Sequence, residues 1–209
     1  MREMDMEATE AIRAELAVRL AAFERAAPPL HALKPAAVAI TVTVEPEGLS
    51  FLLTRRSRGL RNHSGQWALP GGRQDEGETE IQAALRELDE ELGLRLDPAA
   101  VLATLDDYQT RSGYAVTPIV VWGGVSPALT PNPAEVASVH RITLAELDQP
   151  GSPEFVTIAE SDRPVVRMLI GGDKVHAPTA AMLYQFREAA MRGHTVRVAE
   201  LEQPVWAWR

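Results

Sequence analysis

Four carboxylates fall within five positions of one short segment, residues 86–93, which reads RELDEELG; they are Glu87, Asp89, Glu90 and Glu91. If this segment is helical, Glu87 meets Glu90 and Glu91 one turn away, and each such like-charge pair destabilises a helix by about 0.2–0.5 kcal/mol. Gly93 is typical of a residue that ends a helix, so the acids also crowd the negative end of the helix dipole. A helix this unfavourable predicts that a cation from outside the segment binds among the carboxylates.

A helix at residues 79–92 must position these acids. Thr79 and Gln82 stand at the two positions of a capping box at its start. At about 100° per residue, its apolar residues form one stripe about 100° wide: Ile81, Ala84, Leu85, Leu88 and Leu92. Glu87 and Glu91 lie just beside this stripe and Glu90 lies further round, whereas Asp89 falls on the opposite flank. We therefore expect three acids to converge on one point and Asp89 to be only solvated.

The rest of the chain alternates predicted strands with predicted helices. On the N-terminal side we expect an amphipathic helix at 8–26, a linker at 27–35, a hairpin of strands at 36–44 and 49–55, and a basic loop at 57–72. On the C-terminal side we expect strands at 101–108, 114–122 and 137–142, a turn at 111–113, and helices at 143–148 and 178–192. This alternation predicts an α/β sandwich, in which helices cover both faces of a mixed sheet.

Composition limits the classes of function. A net charge of −8 argues against nucleic acid as a partner, because nucleic-acid binders usually present a basic face. The absence of cysteine excludes disulfides and Cys-ligated zinc sites. The N-terminal segment carries acids where a secretion signal needs basic residues, and no stretch approaches about 18 consecutive apolar residues. We therefore expect a cytoplasmic protein that makes no membrane contact.

The segment GRQDEGETEIQAALRELDEELGL, residues 72–94, resembles the Nudix box. All nine defined positions of the box are filled: Gly72, Glu78, Arg86, Glu87, Leu88, Glu90, Glu91, Gly93 and Leu94. A match of this length is far more specific than a lone glycine motif. The resemblance implies an α/β fold, a Nudix-type α/β/α sandwich with a mixed β-sheet, at residues 31–209 after an N-terminal helix and linker at residues 1–30. The alternative is an acidic amphipathic helix with a solvated face.

The resemblance also implies what the cation is. Carboxylate oxygens beside a diphosphate are preferred ligands of Mg²⁺ or Mn²⁺, and the implied ligands are Glu87, Glu90 and Glu91, joined by the Gly72 carbonyl. A carboxylate would remove a proton from the attacking water; Glu90 is the first choice for this base and Glu135 the second. Arg86 is expected to hold the loop geometry by pairing with Glu78 or a neighbouring acid.

Residues 52–72, LLTRRSRGLRNHSGQWALPGG, carry four arginines in seven positions of an acidic protein. They resemble the signature of the Nudix coenzyme A pyrophosphatases at Leu52, Leu53, Thr54, Arg56, Ser57, Arg61, Gly65, Pro70, Gly71 and Gly72. Leu69 replaces a phenylalanine of that signature, which either shapes the pocket or only packs the strand, and Trp67 is bulkier than the usual valine. The resemblance implies that substrate binds at Arg56, Ser57, Arg61, Gly71 and Gly72. Arg55 and Arg58 are expected in water, and His63 on the surface or fixing the loop.

The implied activity is hydrolysis of a small nucleotide substrate, CoA or an acyl-CoA, to 3′,5′-ADP and 4′-phosphopantetheine or its acylated form. Two other functions stay open: hydrolysis of another nucleoside diphosphate derivative, such as ADP-ribose, NADH or a damaged nucleotide, and non-catalytic nucleotide binding by a Nudix domain. Trp206 and Trp208 either stack on an adenine or dock on the core or a partner subunit. A homodimer, the preferred acyl group and the role of residues 150–209 are left open.

Overall fold

Two adjacent parallel strands form the centre of the protein. The structure, a computed structural model, describes residues 6–27, 32–57 and 65–208. Strand β1 (Lys34–Glu45) pairs in parallel with β7 (Tyr114–Val125), and both are buried along most of their length. Their runs of β-branched and apolar residues suit strands that are covered on both faces.

Six further strands complete an eight-stranded mixed sheet around this pair. They are β2 (Gly48–Arg56), β3 (Trp67–Ala68), β4 (Gly71–Arg73), β5 (Val101–Thr104), β6 (Tyr108–Gln109) and β8 (Val136–Thr143). Strand β1 pairs with β2 through residues 42–45 and with β4 through residues 36–38, both antiparallel. The first of these pairings confirms the predicted hairpin, and the sheet confirms the predicted mixed α/β architecture.

Helix α2 (Glu80–Leu92) covers one face of the sheet. Its start carries the predicted capping box, in which Thr79 accepts from the Gln82 amide and Gln82 from the Thr79 amide. Its end is Gly93, whose left-handed φ of 64° directs its N–H back to the carbonyl of Asp89. The predicted apolar stripe packs on small and branched residues of β1, β2 and β7: Ala37, Ala39, Leu52, Ile119 and Val121.

The opposite face is covered by α1 (Met6–Ala21) and by α4 (Thr179–Arg187), which continues into a π-helical turn at Glu188–Arg192. The helix predicted at 8–26 ends earlier, at Ala21. Leu16 and Leu20 are buried, but Ile12 is exposed. The chain leaves the helix because Arg25 pairs with Glu80 of α2 and with Asp107, which ties this segment to the sheet.

A second, three-stranded sheet was not predicted. It consists of β9 (Glu154–Ile158), β10 (Ser161–Ile170) and β11 (Asp173–His176), after the short helix α3 (Leu144–Leu147). Pro164 and the charged residues of β10 hid its strand pattern, although the Gly171-Gly172 turn between β10 and β11 is a recognisable hairpin signal.

Two other differences are smaller. The segment predicted as a loop at 57–72 contains β3 and β4, although residues 58–64 lie outside the described part of the chain. The strand predicted at 101–108 is divided into β5 and β6 by residues 105–107. Among the residues described, no helix is both long and apolar enough to cross a membrane. The division into a segment at 1–30 and a domain at 31–209 stays a prediction.

The capping box generates a stability prediction. Thr79→Ala should lower the free energy of unfolding by about 1 kcal/mol. The Gln82 amide loses its acceptor, and the Gln82 side chain, which accepts from the Thr79 amide, loses the hydroxyl that holds it in place. In a chain of this size, this loss of free energy corresponds to a fall in Tm of about 2–4 °C, measured by thermal denaturation followed by circular dichroism. Thr195→Ala removes an exposed threonine outside any helix or strand and is the matched control. Equal Tm values for the two variants would contradict the role of the cap.

Candidate active site

Four glutamates meet where the end of α2 approaches β4, and we call them the acid cluster: Glu87, Glu90, Glu91 and Glu135. The Glu91 side chain is 4% exposed and that of Glu87 is 14% exposed, whereas that of Glu90 is 56% exposed. Glu87 is repelled by Glu90 and Glu135, and Glu91 by Glu87 and Glu135. The helical phase predicted for Glu87, Glu90 and Glu91 is therefore the phase that the structure shows.

Glu91 is the most perturbed member of the acid cluster. Burial raises the pKa of its carboxyl to about 8, and repulsion from Glu87 and Glu135 acts in the same direction. The Arg56 guanidinium, 4.0 Å away, and a hydrogen bond from the Gly71 amide oppose the rise without cancelling it. Burial likewise raises the pKa of Glu87. A buried carboxylate is stable only when it is paired, so Glu91 lacks sufficient positive charge.

Arg86 ties the loop before α2 to the acid cluster. Its guanidinium donates to both oxygens of Glu78, at 2.9 and 3.1 Å, and to the Arg73 carbonyl at 2.9 Å. The pairing with Glu78 confirms the prediction for Arg86. The same guanidinium donates to Glu87 at 2.8 Å and to Glu90 at 3.0 Å. These carboxylates, Glu78 first, raise the pKa of Arg86 further above its usual range, so it stays charged.

Two glycines allow β4 to approach both β1 and the acid cluster. A Cβ atom on Gly72 would lie 2.3 Å from Oε1 of Glu87. A Cβ atom on Gly71 would lie 2.3 Å from the Ala37 carbonyl oxygen, and its φ of +156° also disfavours a side chain. A side chain on Gly71 would therefore require the backbone of β1 to move, whereas a side chain on Gly72 would displace the Glu87 carboxylate.

Glu135 joins the acid cluster because its segment closes the end of α2. The Thr130 amide donates to the Leu92 carbonyl at 2.7 Å, and the Asn132 amide donates to the Glu91 carbonyl at 2.9 Å. Both carbonyls belong to the last turn of α2, where the helix itself supplies no donor. The Asn132 side chain donates to Glu135 at 3.3 Å. The sequence PNP at residues 131–133, shortly before Glu135, favours a turn. It is the local signal that could have indicated more firmly that Glu135 lies at the acid cluster.

Asp89 points away from the acid cluster. It accepts from Arg95 at 2.8 and 3.0 Å, so the prediction that it is only solvated is wrong, although its place on the other flank is as predicted. Sequence periodicity gave the direction of the side chain but could not identify Arg95, which lies beyond the end of the helix.

Two of the predicted substrate residues, Arg56 and Ser57, lie on the side of β2 that faces the acid cluster, whereas Arg55 lies on the other side. Arg56 faces Glu91, and the Ser57 amide donates to the Glu135 carbonyl at 2.8 Å, so both lie beside the acid cluster. Arg55 lies 4.1 Å over the Trp67 ring and pairs with Asp173, so the expectation that it is solvated is wrong. Arg61, together with Arg58 and His63, lies outside the described residues.

The acid cluster fits a hard divalent cation in its chemistry. Its donors are all oxygens, as Mg²⁺ and Mn²⁺ prefer, and Arg56, which pairs with Glu91, is 4.0 Å away. In the described ranges, however, no three acidic or histidine side chains are close enough together to hold a metal ion as they stand. The expectation that Glu87, Glu90 and Glu91 converge on one point is therefore wrong for the side chains as they stand, in which Glu87 and Glu90 both bind Arg86.

The raised pKa of Glu91 generates a prediction for the protein in a metal chelator. A carboxyl whose pKa is higher in the folded than in the unfolded protein favours folding at low pH, and this contribution is lost as the pH rises from about 4.5 to about 8. Glu91→Gln removes the charge, so its Tm should exceed that of the wild type by about 2–4 °C at pH 9, as about 1 kcal/mol would produce. The difference should shrink towards pH 5. Thermal denaturation of both proteins from pH 5 to pH 9 measures this difference. A Tm difference that is the same at every pH would contradict the raised pKa of Glu91.

A comparison with known families matches the NUDIX domain to residues 33–167, more than half of the chain. Two curated relatives, both called "Uncharacterized Nudix hydrolase NudL", come from Photorhabdus laumondii and Pectobacterium atrosepticum. The first is 43% identical over 114 residues, 53% of this chain and 59% of the relative. The second is 38% identical over 119 residues, 56% of this chain and 62% of the relative. The matches thus span about three fifths of the relatives' length.

The fold has solved counterparts. A Nudix hydrolase from M. smegmatis, RenU, superposes with a TM-score of 0.53 at 22% identity, covering 78% of this chain and 89% of that one. At this identity the likeness concerns the fold alone. The matched residues 33–167 include α2, both glycines of β4 and all four members of the acid cluster. This chain therefore belongs to the NUDIX family.

Proposed function

We propose that this chain is a metal-dependent hydrolase that cleaves the diphosphate of CoA or an acyl-CoA, giving 3′,5′-ADP and 4′-phosphopantetheine or its acylated form. The observation that carries the hydrolase proposal is the buried Glu91 carboxylate, which lies among Glu87 and Glu135 and beside Arg56. Acids and a phosphate-binding cation at one point suit a site that must hold an anionic diphosphate and a metal together.

Glu87, Glu90 and Glu91, with the carbonyl of Gly72, are the residues that we propose hold Mg²⁺ or Mn²⁺. When bound, such an ion offsets phosphate charge and makes water a stronger acid. Arg86 donates to Glu87 and to Glu90, which neutralises part of their negative charge and fixes the position of both carboxylates. Glu78, which binds two nitrogens of Arg86, therefore acts as a positioning residue.

The chain's own residues would bind the diphosphate and remove a proton. Arg56 faces the acid cluster and would donate to phosphate oxygens, as guanidinium groups do. The oxygen of water bonds to one phosphorus atom, and the bond between that phosphorus and the bridging oxygen breaks. The second phosphate leaves with the bridging oxygen. Glu90 is our first candidate for the base that takes the water's proton, because its carboxylate is open to solvent. Glu135, on the other side of the cluster, is the second.

The choice of CoA rests on the signature residues around Arg56. Leu69, which with Trp67 departs from that signature, is 4% exposed and packs in the core. It also lines a cavity of about 210 Å³ that Arg56 and Gly71 border, so it contributes to both packing and pocket shape. This departure is the observation that favours the second candidate, hydrolysis of another nucleoside diphosphate derivative such as ADP-ribose. A purely binding domain is disfavoured because every carboxylate of the Nudix box is present.

Removing single carboxylates tests the metal site. Glu87→Gln and, separately, Glu91→Gln should each lower kcat by several orders of magnitude at saturating Mg²⁺, because each removes an oxygen ligand while leaving the side chain's volume. Asp89→Asn is the matched control on the same helix and should keep near-wild-type kcat, since Asp89 pairs with Arg95 instead. Steady-state assays of all three variants decide the point. Near-wild-type turnover of Glu91→Gln, or a loss of similar size in Asp89→Asn, would refute the site.

The substrate is tested with CoA, an acyl-CoA, ADP-ribose, NADH and dGTP, each with Mg²⁺ and with Mn²⁺. CoA or acyl-CoA should have the highest kcat/KM. Arg56→Ala should reduce kcat/KM for CoA by about 1.5–3 kcal/mol, the usual contribution of a charge-assisted hydrogen bond, and we expect the same of Arg61→Ala from the sequence. Arg95→Ala, whose side chain is 85% exposed, is the control. A higher kcat/KM for ADP-ribose or NADH would replace CoA by the second candidate.

A further inference from the structure

A cavity lies between β3, β11 and the C-terminal segment. We call it the tryptophan cavity; its volume is about 380 Å³, and its walls include Trp67, Trp206, His176, Lys174 and Arg55. Cavities of about 300–1,000 Å³ are the usual size of small-molecule sites. Trp206, His176 and Lys174 follow the segment matched by the NUDIX family, residues 33–167.

The Trp67 wall is held rigidly. The indole Nε1 of Trp67 donates to Asp173 at 3.1 Å, and Asp173 also pairs with Arg55, whose guanidinium lies 4.1 Å over the same ring. On its far side Trp67 meets His140, with ring centroids 4.6 Å apart. A Cβ atom on Gly171 would lie 3.1 Å from the indole, so β10–β11 also packs closely on it. The wall is thus formed before any ligand binds.

The two tryptophans of the C-terminal segment have different surroundings. Trp208 is docked on its own chain: its Nε1 donates to the Gln203 carbonyl at 2.9 Å, and Arg111 lies 4.7 Å over its ring. Trp206 is 55% exposed and borders the tryptophan cavity, where its ring meets the edge of His176 at 5.5 Å. An aromatic ring that is both exposed and at the edge of a cavity can offer a face to a planar ligand.

The charged side chains that line the tryptophan cavity are paired within the protein. Arg55 pairs with Asp173, and Lys174 pairs with Glu154 at 3.3 Å. Burial, together with Arg167 and Lys174, lowers the pKa of His176, and the ring is already hydrogen-bonded to the Lys174 backbone. Aromatic faces combined with such groups are typical of sites for planar heterocycles.

The tryptophan cavity adjoins the smaller cavity at Arg56. It shares Gln66, Trp67, Pro178 and Thr179 with the cavity of about 210 Å³ that Arg56 and Gly71 border. Gly71 in turn donates its amide hydrogen to Glu91. A ligand whose phosphates lie at Arg56 would therefore need to extend only past Trp67 to enter the larger cavity.

We propose that the tryptophan cavity binds the aromatic base of the nucleotide substrate, and that Trp206 stacks on this base. The inference rests on the proposed function in one respect, that the substrate carries a nucleoside next to its diphosphate. It goes beyond that function because it assigns recognition of the base to β11 and the C-terminal segment and not to the Nudix helix.

The test measures binding without hydrolysis. AMP and ribose 5-phosphate, which differ only by the base, are titrated into the full chain in a metal chelator, with ligand-observed NMR to detect weak binding. AMP should bind the wild type at least about tenfold more tightly than ribose 5-phosphate, as expected for base stacking on an aromatic side chain. Trp206→Ala should remove most of this difference, and Trp206→Phe should retain it. Trp208→Phe is the matched control and should behave as the wild type.

Three results would overturn the proposal. The first is equal binding of AMP and ribose 5-phosphate, and the second is wild-type affinity for AMP in Trp206→Ala. The third is a loss of AMP affinity only in Met182→Phe, which fills the smaller cavity, because the base would then bind in that cavity. Circular dichroism of each variant shows that it is folded, and Trp206→Phe keeps the test valid if Trp206→Ala is not. Because the assay involves neither metal nor hydrolysis, a failure to cleave CoA would refute the proposed function while leaving this result to stand separately.

Discussion

The burial of one ionisable carboxylate, that of Glu91, is the constraint on which the site depends. Its pKa of about 8 shows that the surroundings disfavour its charge at the end of α2. An apolar side chain at this position would be buried without a desolvation penalty, so Glu91 lowers the stability of the fold. Conflicts of this kind are typical of functional sites, where the local preference for stability is overridden.

Several parts of the fold serve to hold that carboxylate in place. The capping box fixes where α2 begins, and Gly93 fixes where it ends. The glycines of β4 let its backbone approach close enough for the Gly71 amide to donate to Glu91. Arg86 connects Glu78 in the preceding loop with Glu87 and Glu90. Because these contacts share partners, substitutions among them are not expected to have additive effects on stability.

The part of the chain after the family match adds a wall to the site that the Nudix helix does not provide. Strand β11 and the C-terminal segment bring Lys174, His176 and Trp206 to the side of β3. Their anchor is Glu202, which Arg111, Arg163 and Ser161 bind from separate segments. These hydrogen bonds outweigh burial and lower the pKa of Glu202 to about 2. The chemistry would thus reside on α2, and the selection of substrate on elements far from it in sequence.

The sequence by itself determined the helix that bears the acids, its cap, its end at Gly93 and the side on which each glutamate lies, because helical period and capping are local properties. Only the tertiary structure decided that Asp89 pairs with Arg95, that Arg55 and Arg56 face different cavities, and that Trp206 lines one of them while Trp208 docks on the chain. These outcomes depend on which distant segments bury one another. Short strands such as β9–β11 carry little periodicity of their own, so their pairing is fixed by long-range contacts that no local pattern records.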